Sequence, residues 1–155
     1  MTPGPLLPYH PHVDTLITES PAQTEAAGEA LARRVPAGAV IVLSGPLGSG
    51  KTTFVRGVAV GLGIRDTVTS PSYAIIMEYG TPPRLVHIDL YRTSSDEELM
   101  LLGLEDAIDS DALKVIEWGE RAESFLPPDC VRVEIRIVDG TRRRISIRGD
   151  LERLH

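Results

Sequence analysis

Asparagine is missing from this 155-residue chain, cysteine, tryptophan and glutamine occur once each, and lysine occurs twice. A lone cysteine, Cys130, excludes an intrachain disulfide and a cysteine zinc cluster, and reads as a small apolar residue in or near a strand. Long apolar runs are absent too: the longest, at residues 39–43 and 99–102, fall far short of the roughly 20 residues that cross a bilayer. No basic segment followed by an apolar run opens the sequence, so a cytoplasmic protein without membrane association is expected.

What is present fits one domain. Hydrophobic residues make up 42% and charged residues 25% of the chain, enough to bury a single continuous core. A net charge of -6 disfavours nonspecific nucleic-acid binding as the main activity, because that needs a basic footprint. The charge is uneven: residues 89–123 hold eleven acids against three bases, whereas residues 132–153 hold seven arginines against four carboxylates. Such asymmetry suits docking to a partner, or ordinary solvated faces.

Prolines 3, 5, 8 and 11 block helix and sheet pairing, so residues 1–13 read as a mobile leader and residues 14–155 as the domain. Ser20-Pro21-Ala22-Gln23 is an N-cap, a proline at the first helical position and a capping-box glutamine, opening a helix to about Arg34. Residues 39–44 form an apolar strand that runs into glycines, and residues 52–62 are helical in pattern, with Gly63 placed to end the helix. Two strands, 73–79 and 85–90, flank the Gly80-Thr81-Pro82-Pro83 turn. Ser95-Asp96-Glu97-Glu98 is a second capping box, predicting a helix toward Ile108. A buried strand at 113–116 and a short helix at 120–125 follow. Alternation at Val131, Val133, Ile135 and Ile137, then Asp139-Gly140, predicts a hairpin returning through residues 144–148. The alternation of strands and helices implies an α/β fold of the P-loop NTPase kind, a mainly parallel sheet flanked by helices with antiparallel additions and a C-terminal hairpin.

The chemistry concentrates at Gly45-Pro46-Leu47-Gly48-Ser49-Gly50-Lys51-Thr52-Thr53. Glycines let the backbone N–H groups of Gly48, Ser49 and Gly50 converge on a phosphate at a helix N-terminus, whose dipole favours the anion. Lys51 reaches the β- and γ-phosphates, Thr52 offers a hydroxyl to magnesium, and Thr53 can bond the α-phosphate. Such a pattern arises by chance in on the order of one chain in a few hundred. ATP and Mg2+ are the expected ligands. Magnesium also wants an anionic oxygen, and Asp89 and Glu117 each follow a mostly apolar strand; one could hold the metal while the other orients water. Guanine-reading sites use an Asn/Thr-Lys-x-Asp signature that this chain lacks, which disfavours GTP. Gln23, the sole glutamine, belongs to a helix cap. No glutamine is left to position water, so hydrolysis by the chain alone is expected to be slow.

These blocks occur in order with Ser70-Pro71-Ser72-Tyr73, His87-Ile88-Asp89-Leu90-Tyr91-Arg92, Leu102-Gly103-Leu104-Glu105 and Ile116-Glu117-Trp118. Together they resemble the bacterial TsaE family, ATPases of tRNA threonylcarbamoyladenosine synthesis, over about residues 16–148. Family members usually read Ser-Pro-Thr-Phe/Tyr-Thr where this chain has Ser72, which keeps a hydroxyl, and Ala74, which does not. The resemblance implies ATP hydrolysis in support of a TsaD–TsaB complex that modifies the adenosine beside the anticodon, with tRNA engaged indirectly. It implies that Thr52 and Glu117 ligate magnesium and that Lys51, Asp89 and Glu117 act in catalysis. Ser70 to Tyr73 would form a switch-like loop near the γ-phosphate. By the same analogy, adenine lies between residues 19–24, including Glu19 and Thr24, and residues 139–143, including Arg143.

Other residues have plainer readings. His87 reads as a buried or half-exposed imidazole satisfied by a hydrogen bond rather than a catalytic base. Trp118 reads as a core or rim aromatic, or as a site or partner contact; Tyr91 reads as packing. Arg92 pairs with Asp89 or faces phosphate, and Arg142-Arg143-Arg144 is a solvated strand end or a contact for tRNA or an acidic partner. Two competing functions stay open: a small-molecule kinase, against which stands the lack of an arginine-bearing lid at residues 98–111, and an ATP sensor that never turns over.

Overall fold

Three apolar strands that require burial on both faces form the centre of the molecule. We describe them in a computed structural model that covers residues 12–69, 75–93 and 95–149. The elements are β1 (His12–Thr18), α1 (Pro21–Arg34), β2 (Val40–Ser44), α2 (Lys51–Gly61), β3 (Ile76–Tyr79), β4 (Leu85–Asp89), α3 (Asp96–Leu101), α4 (Leu104–Asp109), β5 (Leu113–Glu117), a 3₁₀ segment Gly119–Phe125, β6 (Val131–Ile137) and β7 (Arg143–Gly149). The seven-stranded sheet has the order β1-β7-β6-β2-β5-β4-β3. Its inner pairs β6–β2, β2–β5 and β5–β4 are parallel, while β1–β7, β7–β6 and β4–β3 are antiparallel. The expected mainly parallel α/β sheet with antiparallel additions is therefore the fold.

Side-chain alternation along the parallel strands makes two cores. Ile41, Leu43, Leu85, Leu113 and Val115 pack under α1 and α2 with Leu31, Phe54, Val55 and Val58. Val40, Val42, Val86, Ile88 and Ile116 point the other way, onto Leu99, Leu104 and Ile108 of α3 and α4 and Ala122 of the 3₁₀ segment. The thiol of Cys130 packs beside this second core, and burial pushes its pKa up. Lys114, also on that side and buried, donates from Nζ to the carbonyls of Gly38 at 2.9 Å and Ser110 at 2.6 Å. Ser110 is the C-cap of α4, so this ammonium satisfies a helix end.

Helices α1 and α2 approach closely because three glycines leave room. A Cβ at Gly28 would lie 2.1 Å from the Phe54 carbonyl oxygen, one at Gly57 1.8 Å from that of Glu25, and one at Gly61 2.7 Å from that of Glu29.

Three elements depart from the sequence reading, one of them for a clear physical cause. Residues 1–11 of the expected leader lie outside the described residues, but His12 and Val13 begin β1, which pairs along β7 from His12↔Gly149 to Thr18↔Arg143. The helix expected to run to Ile108 breaks into α3 and α4 at Gly103, whose φ of 78° no continuing helix tolerates. The strand expected from residue 73 starts at Ile76, and residues 73 and 74 lie outside the described set.

Candidate functional site

β2 delivers the chain to a loop that only glycine can form. At Gly45, φ is 152° and a Cβ would lie 2.5 Å from the Ile135 carbonyl oxygen of β6. At Gly48, φ is 77° and the space is open; at Gly50, φ is 106° and the residue caps α2 without a side chain. With no side-chain cap and no acid in its first turn, α2 presents a bare, electropositive N-terminus. Of the three N–H groups expected to line the cradle, that of Ser49 closes a turn onto the Pro46 carbonyl at 3.1 Å. The Ser49 hydroxyl is buried without a partner among the described residues. Pro46 and Leu47 form the exposed outer limb of the loop.

Lys51, 7% exposed, turns back into this loop. Its Nζ donates to the Gly45 carbonyl at 2.7 Å, lies 3.9 Å from Glu117 Oε1 and sits 4.8 Å from the centre of the Trp118 ring. Thr52 and Thr53 follow it on the first turn of α2, both half-buried.

Asp89 and Glu117 are Cα partners at the ends of the adjacent parallel strands β4 and β5, which sets both carboxylates on the α2 side of the sheet. Glu117 is buried and its Oε2 meets His87 Nε2 at 2.6 Å. Asp89, half-buried, accepts from the Tyr91 N–H at 2.9 Å. Burial above all, and then the Glu117 charge, raise the pKa of Asp89 against the opposing pull of the Tyr91 N–H. Among the described residues Arg92 makes no ion pair with Asp89; it is exposed. Trp118 adopts φ 60° and packs on Tyr91 with ring centres 5.1 Å apart, and Arg121 lies over both rings. Ser70, Pro71, Ser72, Tyr73 and Ala74 lie outside the described residues.

The raised pKa has a sign that can be tested. An acid that binds its proton more tightly when folded lowers stability as pH rises past its unfolded value of 3.8, and the cost persists above the folded value. Asp89→Asn keeps an acceptor for the Tyr91 N–H and removes the charge. It is expected to raise the melting temperature at pH 7, by a gain of up to about 1 kcal/mol. The gain should vanish below the unfolded value, and a Tm series across pH checks it.

Beside the loop lies a cavity of about 360 Å3, lined by Ser20, Pro21 and Thr24 of the α1 start, Gly48, Ser49, Gly50 and Thr53, and Gly140, Thr141 and Arg143 of the β6–β7 hairpin. That volume falls within the roughly 300–1,000 Å3 of small-molecule sites. The two segments expected to flank a base thus meet across it. Thr24 is buried and shares a 2.8 Å hydrogen bond with Thr18. Glu19 is not among the lining residues; its N–H donates to Gln23 Oε1 at 2.7 Å within the capping box. Arg143 does line the cavity, and its guanidinium also holds carbonyls: Nε donates to Ser49 at 3.0 Å and Nη1 to Asp139 at 2.7 Å. It ties the loop to the hairpin. Arg142 pairs with Asp139 at 2.6 Å, so the arginine run mainly builds the turn.

The donor set fits a hard cation. Thr52 offers a hydroxyl and Asp89 and Glu117 offer carboxylates, all oxygens, while among the described residues no group of three or more His, Cys, Asp or Glu is arranged to hold a metal ion by itself. A cation here would therefore draw its other ligands from phosphate and water. No described helix is long and apolar enough to cross a membrane.

Comparison with known proteins agrees with this fold. The model of a family described as threonylcarbamoyl adenosine biosynthesis protein TsaE matches residues 18–145. The chain is 36% identical to the tRNA threonylcarbamoyladenosine biosynthesis protein TsaE of Treponema pallidum, over 84% of this chain and 97% of that one. It is 41% identical to the protein of the same name from Streptomyces coelicolor, over 81% and 90% of the two chains. The crystal structure of Bacillus subtilis YdiB superposes with a TM-score of 0.78 at 29% identity, covering 94% of this chain and 91% of that one.

Proposed function

Because the chain belongs to the TsaE family of tRNA threonylcarbamoyladenosine biosynthesis proteins, we propose that it binds ATP with magnesium at residues 45–53 and hydrolyses it in support of a TsaD–TsaB complex. That complex transfers a threonylcarbamoyl group to the adenosine beside the anticodon, and ATP turnover resets it rather than driving the transfer. The work is cytoplasmic. The observation that carries this reading is the buried Lys51 ammonium at the open N-terminus of α2, 3.9 Å from Glu117 and next to a nucleotide-sized cavity.

Lys51 exchanges the Gly45 carbonyl for phosphate oxygens, which bring the stronger, charge-assisted bond. The first-turn N–H groups of α2 hold the remaining phosphate charge. Thr52 and Glu117 hold the cation, with Asp89 beside them to ligate it or to orient the attacking water. Magnesium, when bound, neutralises phosphate charge and aligns the terminal phosphoryl group. Asp89, half-buried and free of His87, is the better placed of the two to orient water, since Glu117 is already held by His87 at 2.6 Å. Arg143 keeps the loop closed on the hairpin, and the adenine occupies the cavity between Thr24 and Thr141.

Phosphate release from ATP, measured with the chain alone and with a TsaD–TsaB complex, tests the proposal, with Lys51→Ala as the blank. The expected result is a slow rate alone and a rise of at least about tenfold with the complex, the effect of completing a partial site. Near-blank release in both conditions with ATP binding intact would sink the ATPase reading.

A further inference from the structure

We infer that His87 is a positioning residue that anchors one oxygen of Glu117, leaving the other turned toward Lys51 and the cation. The inference rests on the ATPase reading above for its purpose, although the anchor itself does not.

His87 is fully buried on β4, two residues before Asp89, and its Nε2 lies 2.6 Å from Glu117 Oε2. Its other nitrogen, Nδ1, is buried and bonds nothing among the described residues. A hydrogen on Nδ1 would be stranded without an acceptor, whereas a hydrogen on Nε2 meets a carboxylate. The ring therefore donates through Nε2, and this one bond is its whole polar role. An imidazole in the core with one satisfied nitrogen serves its acceptor.

Glu117 needs that service. Its side chain sits at a strand end between the Lys51 ammonium and the Asp89 carboxylate in register beside it. Freed from His87, the carboxylate would swing away from Asp89 and close on Lys51 with both oxygens, because a direct two-oxygen ion pair in a buried site outweighs a single contact at 3.9 Å. The carboxylate would then be lost to the cation, while the Lys51 ammonium, with three N–H groups, keeps donors for phosphate. Hydrogen bonds of this kind to metal-ligating side chains are worth about 10–100-fold in metal affinity.

Two variants and a spectrum test the inference. Calorimetric titration of a non-hydrolysable ATP analogue, with magnesium and with chelator, is run on wild type, His87→Leu and His87→Gln. His87→Leu is expected to raise the magnesium concentration for half-maximal effect by about 10–100-fold, with affinity in chelator within about twofold of wild type. His87→Gln, whose amide can donate to the same oxygen, is expected to recover most of the loss. An unchanged magnesium requirement in His87→Leu, or an equal loss with and without magnesium, overturns the inference. Nitrogen–proton correlation spectra of the imidazole rings in the ligand-free wild type should place the His87 hydrogen on Nε2. Finding it on Nδ1 overturns the anchor even if His87→Leu does not fold. Wild-type protein that binds no nucleotide would sink the ATPase reading instead, while the spectrum still decides the anchor.

Discussion

Lys51→Ala is expected to weaken ATP binding by at least about thirtyfold, up to the loss of measurable binding. Removing one partner of a buried, hydrogen-bonded charge pair costs about 2–5 kcal/mol, and each 1.4 kcal/mol is a factor of ten. The substitution also deletes the donor to Gly45 and the only cation within 4 Å of Glu117 among the described residues, so part of any loss could be structural. Lys51→Met restores the volume beneath Trp118 but neither the donor nor the charge, so a melting temperature near that of wild type with ATP binding lost would show that the loss is not one of folding. Lys114→Met is the counterpart: the other lysine faces the opposite side of the sheet, 2.6 Å from Ser110, and its loss should cost stability but leave ATP affinity alone. Isothermal titration with the three variants decides, and wild-type affinity in Lys51→Met would refute the assignment of the phosphate site.

Gly57→Ala is expected to destabilise the protein by about 3 kcal/mol, the upper end of overpacking costs. On helix propensity alone the change should help by nearly 1 kcal/mol. Contact decides the sign. The new Cβ would lie 1.8 Å from the Glu25 carbonyl oxygen and 2.7 Å from its carbon, both backbone atoms that cannot rotate away, so α1 must lift from α2. For a domain of this size that corresponds to a fall in melting temperature of roughly 6–12 °C. Gly48→Ala offers contrast, since nothing lies within 4 Å and only φ of 77° opposes it, a cost of about 1–2 kcal/mol. Thermal denaturation of both variants checks the ranking. If Gly57→Ala melts no lower than Gly48→Ala, the close α1–α2 crossing is not as described.

Much of this molecule could be read from its residues, and the failures share a cause. The loop of residues 45–53 and its flanking strand and helix were legible because the glycines and the apolar run are contiguous. The pairing of Asp89 with Glu117 was half legible: each ends an apolar strand, but only the parallel register of β4 with β5 makes them neighbours. The bond from His87 to Glu117 was not legible, since the residues are thirty positions apart and nothing local marks either as the other's partner. β1 escaped for a different reason. Its outward positions include the apolar Val13 and Ile17, 47% and 48% exposed, while Thr18 faces in and is buried, so its alternation runs against the usual pattern of a half-buried strand. Arg143 was legible as a residue of the cavity side, which it lines, but not as the tie to the carbonyls of Ser49 and Asp139, because a sequence shows charge and not which carbonyls a guanidinium will find.

Trp118, the single indole of the chain, lies 4.8 Å from the Lys51 ammonium, close enough for the cation to act on the ring face. Tryptophan emission from this protein therefore comes entirely from beside Lys51 and the loop of residues 45–53. Any ligand that draws Lys51 toward itself must alter the brightness or colour of that emission, and no other tryptophan adds background. The molecule carries a built-in optical gauge of its own lysine, readable in real time without a label.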